Sequence, residues 1–256
     1  MQNIIADPLF YAAAIPAVLL VGLSKGGLGG AAALIGVPLM ALVVPPVQAA
    51  AIMLPILVVM DIASLWSWRG NRDTRTLRIM LPGAVIGIGI GWATASFVTA
   101  DMIRLIVGTI ALLFFLRWLT QRVSGNEAAR PHNAPAGGFW GAVAGFTSFV
   151  AHAGGPPYQV YALSLRQPPA LYTGTSVIFF AVVNALKLIP YFALGQFDTV
   201  NLAASAILAP IAPLATFAGA WLVKRMKPAV FYPLMYSMVL IVAVKLIYDG
   251  VTNLAG

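Results

Sequence analysis

Cysteine is absent from this chain, histidine occurs twice, and only seven residues are acidic. The lack of cysteine excludes disulfides and thiolate metal sites. Two separated histidines, His132 and His152, with no His-Glu-x-x-His pattern, leave no cluster for a metal, and no cofactor is expected. Charged residues of both signs make up 9% of the chain, against about a quarter in a soluble domain. In their place stand 61% hydrophobic residues and a mean hydropathy of +0.91. Such a chain is a polytopic, all-α membrane protein with one membrane domain and little outside it. Its net charge of +8 lies mostly in short loops, where it orients the chain rather than attracting nucleic acid. With no basic leader region and no small-residue cleavage site, the N-terminus reads as an uncleaved first segment.

The apolar runs are broken at one conspicuous place, Gly22-Leu-Ser-Lys-Gly-Gly-Leu-Gly-Gly30. The flanks, Ile4 to Val21 and Ala31 to Val44, are shorter than the roughly 20 residues a spanning helix needs. Non-helical backbone at membrane depth survives where protein buries it or where it lines a polar cavity. Glycine N–H groups at a new helix start, beside the Lys25 ammonium, form a place for an anion. The alternative is a glycine-rich helix contact with Lys25 reaching to an interface.

Ala49 to Trp68 is an apolar span interrupted by Asp61 and followed by a basic loop with Arg69, Arg72, Arg75 and Arg78. Ile79 to Val98 is a span whose Gly83, Gly87, Gly89 and Gly91 suit close helix packing. Ile103 to Leu119 follows, and then the longest hydrophilic stretch, with Arg122 and Arg130.

The second half repeats the first. Gly145 follows Gly22 by 123 positions, and the same offset carries Ser24 to Thr147, Pro45-Pro46 to Pro168-Pro169 and Asp61 to Asn184. The repeats are assigned to 1–120 and 138–256, joined by a linker over 121–137. Arginine in the loop after the Asp61 span places that loop in the cytoplasm. Its counterpart, Tyr191 to Thr199, has no Lys or Arg and should face outside. The linker and the turn Lys224-Arg225-Met226-Lys227 should be cytoplasmic. These assignments agree if the halves are inverted, each a short broken or re-entrant hairpin plus three transmembrane helices, as in secondary transporters.

At these residues the chain resembles the TauE/SafE family of membrane anion transporters, often called sulfite exporters. The matching stretches are Gly22-Leu-Ser-Lys-Gly-Gly, Leu34-Ile-Gly-Val-Pro38 and Pro45-Pro-Val-Gln48 in the first half. In the second they are Gly145-Phe-Thr-Ser-Phe-Val-Ala-His-Ala-Gly-Gly-Pro-Pro157 and Gly174-Thr-Ser-Val-Ile-Phe-Phe180 with Asn184. The resemblance covers roughly residues 10–250. It implies a multi-pass carrier of the bacterial inner membrane for sulfite, a sulfonate such as sulfoacetate, or a related small anion.

Ionisable groups away from loop ends are few: Lys25, Asp61, His152 and Lys187. Such groups usually face a bundle interior or water. One helix face reads Ser176, Phe180, Asn184, Lys187, and its first-half equivalent reads Met53, Leu57, Asp61, Ser64. Lys187 lies near Pro190, so it either snorkels or joins a site. The expected anion-contacting set is Ser24, Lys25, Gly26 and Gly27 at the first elbow. At the second elbow it is Thr147, Ser148, His152, Gly154, Gly155 and Gln159, and Asn184 and Lys187 complete it. The two elbows are expected to converge near the midplane. Asp61 and His152 are the candidates for proton coupling, His152 because an imidazole titrates near neutral pH. Trp66, Trp68, Trp118 and Tyr191 read as interfacial belt residues, and Arg117 and Lys245 as helix-end anchors.

Ser24-Lys25 and Thr147-Ser148 do not make a Ser–Lys dyad, since adjacent residues on a helix point in different directions. No catalytic constellation is present, so the chain is not expected to be an enzyme. A structural subunit has no need of duplicated polar elbows. A passive anion channel is the alternative to a transporter.

Overall fold

A computed structural model describes residues 7–28, 33–94, 97, 99–125, 128–193 and 198–255. Among them there are helices and no strands. In chain order they are α1 (Pro8–Leu23), a π turn (Ser24–Leu28), α2 (Ala33–Met40), α3 (Pro46–Ser67), α4 (Thr74–Ala93) and α5 (Ala100–Val123). The second half adds α6 (Ala134–Ala151), α7 (Gly155–Ala162), a 3₁₀ turn (Leu163–Leu165), α8 (Pro169–Ala193), α9 (Thr199–Leu208), α10 (Ile211–Lys224) and α11 (Pro228–Ala255). Six of the described helices are long and apolar enough to cross a membrane. The bent pair α9 and α10, 47° apart, makes a seventh if it counts as one span.

Helix starts follow short polar caps. Asp7, Asp73, Thr99, Asn133 and Asp198 each accept a backbone N–H from the first turn that follows. The Asp73 cap explains one displaced boundary. Arg75 and Arg78 suggested a loop up to Ile79, whereas α4 begins at Thr74 and carries both arginines on its first turns. By the same logic the Thr99 cap starts α5 at Ala100, and Arg122 sits in its last turn. Gly29 and Gly30, which close the first glycine cluster, and Gln196 of the loop expected outside lie outside the described residues.

Large apolar side chains such as Leu113, Phe139, Ile189 and Val244 face outward, while Ser24, Asp61, Ser64 and Lys187 are buried. This is the reverse of a soluble fold and what a lipid surround selects, because polar groups in hydrocarbon need protein partners.

The chain divides into two compact units, and neither is a sequence half. One comprises residues 1–70 and 176–225, the other 71–175 and 226–256, so α8 contributes to both. In the first unit α1 packs against α10, α2 and α3. Its core joins Phe10, Val18 and Val21 of α1 to Met53, Ile56 and Met60 of α3 and to Leu208 of α9. In the second unit the main pairs are α4 with α6 and α5 with α11.

Both units use the same device for their closest helix pair. In the first, a Cβ on Gly22 would lie 2.5 Å from the Ala215 Cβ, and one on Gly26 or Gly219 would strike the facing backbone. In the second, Gly83 and Gly87 of α4 and Gly141 and Gly145 of α6 each lie against the partner helix's backbone. Small residues spaced by four let helices approach this way without an aqueous hydrophobic drive. Gly22 and Gly145, equivalent by the 123-residue offset, therefore do the same packing work in separate units. Gly89 differs from its neighbours: nothing lies within 4 Å of where its Cβ would stand, so it takes no part in the contact.

Candidate functional site

The first elbow lies wholly within the first unit. Past α1 the chain widens into the π turn, where Gly27 takes φ 144°, a conformation that side chains rarely adopt. Widening of this kind frees backbone carbonyls from the i→i−4 ladder. Helix α3 supplies their partners. Ser64 Oγ donates to the Lys25 carbonyl at 3.0 Å, and Trp68 Nε1 donates to the Gly26 carbonyl at 2.8 Å.

With the backbone so fixed, the Lys25 side chain meets α3 as well. Its Nζ donates to Asp61 Oδ1 at 2.6 Å, and Asn184 Nδ2 donates to Asp61 Oδ2 at 2.6 Å. Asp61 and Asn184, equivalent positions 123 residues apart, thus bond each other directly. The Lys25 ammonium also stands 5.9 Å from the centroid of the Phe180 ring. Lys187 is 2% exposed and close enough to feel the charges of both Lys25 and Asp61. It therefore does not snorkel. Ser24, 3% exposed, has a hydroxyl with no hydrogen-bond partner among the described residues.

The titratable groups gathered here are the Asp61 carboxyl and the Lys25 and Lys187 amines. Charge held away from water is costly unless compensated. The 2.6 Å Lys25–Asp61 ion pair supplies that compensation for its two members.

The second elbow lies in the other unit. Helix α6 ends on His152, held in the left-handed region at φ 53° with its N–H bonded to the Thr147 carbonyl. The Ala153 N–H reaches the same carbonyl at 3.1 Å. Thr147 Oγ1 donates to the Val143 carbonyl at 2.8 Å, with the Ala153 carbonyl at 3.2 Å. Its single donor is thus committed to holding the elbow. Gly154 precedes α7 and Gly155 opens it; Gly155 has open space where a Cβ would stand. Ser148 and Gln159 are buried, and Gln159 hydrogen-bonds the Tyr172 hydroxyl.

The structure thus joins Ser24, Lys25, Gly26, Gly27, Asp61, Asn184 and Lys187 in one unit, and Thr147, Ser148, His152, Gly154, Gly155 and Gln159 in the other. Two belt assignments are corrected. Trp68 is 2% exposed because its indole caps the elbow, and Trp118 is buried against Tyr236, stacked at 4.3 Å. The role of Trp68 had a signal in the sequence: Asp61, Ser64 and Trp68 share one helix face at i, i+3 and i+7. Lys245 pairs with Asp249 one turn on.

A polar knot in the second unit ties the linker to the start of α4. Asp73 Oδ2 accepts from Thr76 Oγ1 at 2.6 Å and from the Gln167 amide, and His132 Nε2 stands 2.7 Å away. Burial works to raise the Asp73 pKa, but the Thr76, His132 and Gln167 hydrogen bonds outweigh it and hold the carboxyl at about 2, below its ordinary 3.8. A depressed carboxyl stabilises the fold fully above its unfolded value and loses that contribution as pH falls through the folded one. Melting temperatures measured from pH 6 to 2 should therefore fall most steeply between about 4 and 2. In Asp73→Asn that acid limb should flatten, and the melting temperature near neutrality should drop.

A family model described as sulfite exporter TauE/SafE matches residues 14–246. No curated protein and no solved structure matches the chain.

Proposed function

Because the chain belongs to the sulfite exporter TauE/SafE family, whose members are membrane transporters of sulfur anions, we propose that it is a secondary transporter. It carries sulfite, a sulfonate such as sulfoacetate, or a related small anion across the bacterial inner membrane by alternating access. The observation that supports this reading best is the buried Lys25–Asp61–Asn184 chain with Lys187 beside it. Sulfo-oxygens suit these donors, since charge-assisted hydrogen bonds are the stronger ones.

The pairing of Lys25 with Asp61 suggests how a proton is coupled. Protonation of Asp61 would cancel its charge and release the Lys25 ammonium to the anion, so that proton and anion enter together. His152 at the second elbow is the other proton carrier in this reading. Flux into liposomes should then saturate with sulfite, sulfoacetate or thiosulfate and rise with an imposed pH gradient. Asp61→Asn or His152→Gln should keep anion exchange but lose the pH drive. Fully pH-driven flux in both variants would refute the coupling. Non-saturating, gradient-independent flux in the wild type would mark a passive channel.

The repeats are read as inverted, which the shared glycine packing of Gly22 and Gly145 supports as a duplication. Cysteines introduced at Arg72 and Arg130 should react with an impermeant thiol reagent from the cytoplasmic side alone, and one at Gln196 from outside alone. Labelling of all three from one side would refute inversion.

A further inference from the structure

The second unit contains a cavity of about 400 Å³, remote in composition from either elbow. Arg117 of α5, Arg130 of the linker and Arg166 beyond the 3₁₀ turn line it, with Trp118, Trp140 and Tyr161 among the walls. Among the described residues the lining holds three arginines and no Asp or Glu. Like charges gathered at one concavity repel unless an anion joins them.

Several contacts fix this arrangement. The Arg130 N–H donates to the Ser164 carbonyl at 2.9 Å, the Asn133 N–H reaches the Tyr161 hydroxyl at 3.3 Å, and His132 is clamped to Asp73. Arg166 sits in the left-handed region at φ 51°, a conformation unfavourable for a side chain of its size, and its guanidinium lies 5.1 Å from the Tyr232 ring centroid. Trp118 is 6% exposed, yet its indole N–H has no hydrogen-bond partner among the described residues.

The surroundings indicate which acceptor. Ile106 and Leu113 are exposed on α5, and helical spacing puts them on the face that carries Arg117. An apolar outward stripe thus runs up to a cationic, aromatic-walled cavity. Guanidiniums grip phosphate oxygens in a planar fork, and basic pockets between helices accept lipid headgroups.

We propose that this cavity binds a tetrahedral oxyanion, the phosphate of an anionic phospholipid whose acyl chains lie along the exposed stripe of α5. The site is independent of the transported anion and ties the linker to the lipid around it.

The test uses the full-length protein in detergent, titrated with phosphatidylglycerol, with phosphatidylcholine of the same acyl chains, and with inorganic phosphate. Bound lipid is read by native mass spectrometry. Phosphatidylglycerol should be retained at one molecule per chain in preference to phosphatidylcholine. Arg117→Gln with Arg130→Gln should weaken its binding roughly ten- to a hundredfold. Both arginines are exposed, so the double variant should melt with wild-type protein when no lipid is added. Arg72→Gln, an exposed arginine outside the cavity lining, should leave retention unchanged. Equal retention of phosphatidylglycerol by the double variant would overturn the site. Displacement of phosphatidylglycerol by millimolar inorganic phosphate, with phosphate binding lost in the double variant, would overturn the lipid source and assign the cavity to a free oxyanion.

Discussion

Lys25→Met should destabilise the protein by roughly 3–5 kcal/mol, whereas Lys25→Met combined with Asp61→Leu should recover part of that loss. The single change leaves the buried Asp61 carboxylate with its Asn184 hydrogen bond but without its 2.6 Å ion pair. The double change removes both charges of the pair and returns apolar volume, although the Asn184 amide loses its acceptor. Restored folding should not restore transport, because the ammonium proposed to hold the anion is gone. Melting in detergent, followed by tryptophan fluorescence, and sulfite flux in liposomes give the two readouts. A single variant as stable as wild type would mean that Lys25 and Asp61 are not held together. A double variant that transports normally would make the pair a structural bond alone.

Gly87→Leu should prevent the second unit from closing, with a loss of about 3 kcal/mol or more, while Gly89→Leu should change stability by less than about 0.5 kcal/mol. The two positions are neighbours on the same helix. At Gly87 even a Cβ would enter the space of the Ala142 carbonyl, and a rigid helix backbone cannot yield as a side chain would. At Gly89 there is nothing within 4 Å, so a leucine would join the exposed surface. Size-exclusion monodispersity and melting temperature separate the outcomes. Equal behaviour of the two variants would contradict the α4–α6 contact.

Much of this architecture was legible because glycine, proline and charge are rare enough in an apolar chain to mark positions. The cluster from Gly22 to Gly30 marked the first elbow, and the 123-residue offset marked Gly145 as the counterpart of Gly22. The same offset singled out Asp61 and Asn184, which turn out to hydrogen-bond each other. What was not legible is which side chains on different helices meet. Lys25 and Asp61 are 36 residues apart, and helical periodicity says which face a residue occupies but not what packs upon it. Trp68 shows the same limit: it shares a helix face with Asp61 and Ser64, but nothing in that spacing says that a π-turn carbonyl packs upon it. Contacts also regroup the chain, since each compact unit draws on both sequence halves, a consequence of exchanged packing that a linear repeat does not display.

The central claim is that the buried Lys25–Asp61–Asn184 chain with Lys187 beside it binds the transported anion, and calorimetric titration of sulfite into wild-type protein and Lys187→Met tests it most directly. Methionine nearly fills the volume of the lysine stem without its charge, so the variant should fold. Loss of one charge-assisted bond is worth roughly 1.5–3 kcal/mol, or ten- to a hundredfold in affinity. Saturable sulfite binding in the wild type, weakened by that factor in Lys187→Met, is the expected result; unchanged affinity in the variant would contradict it.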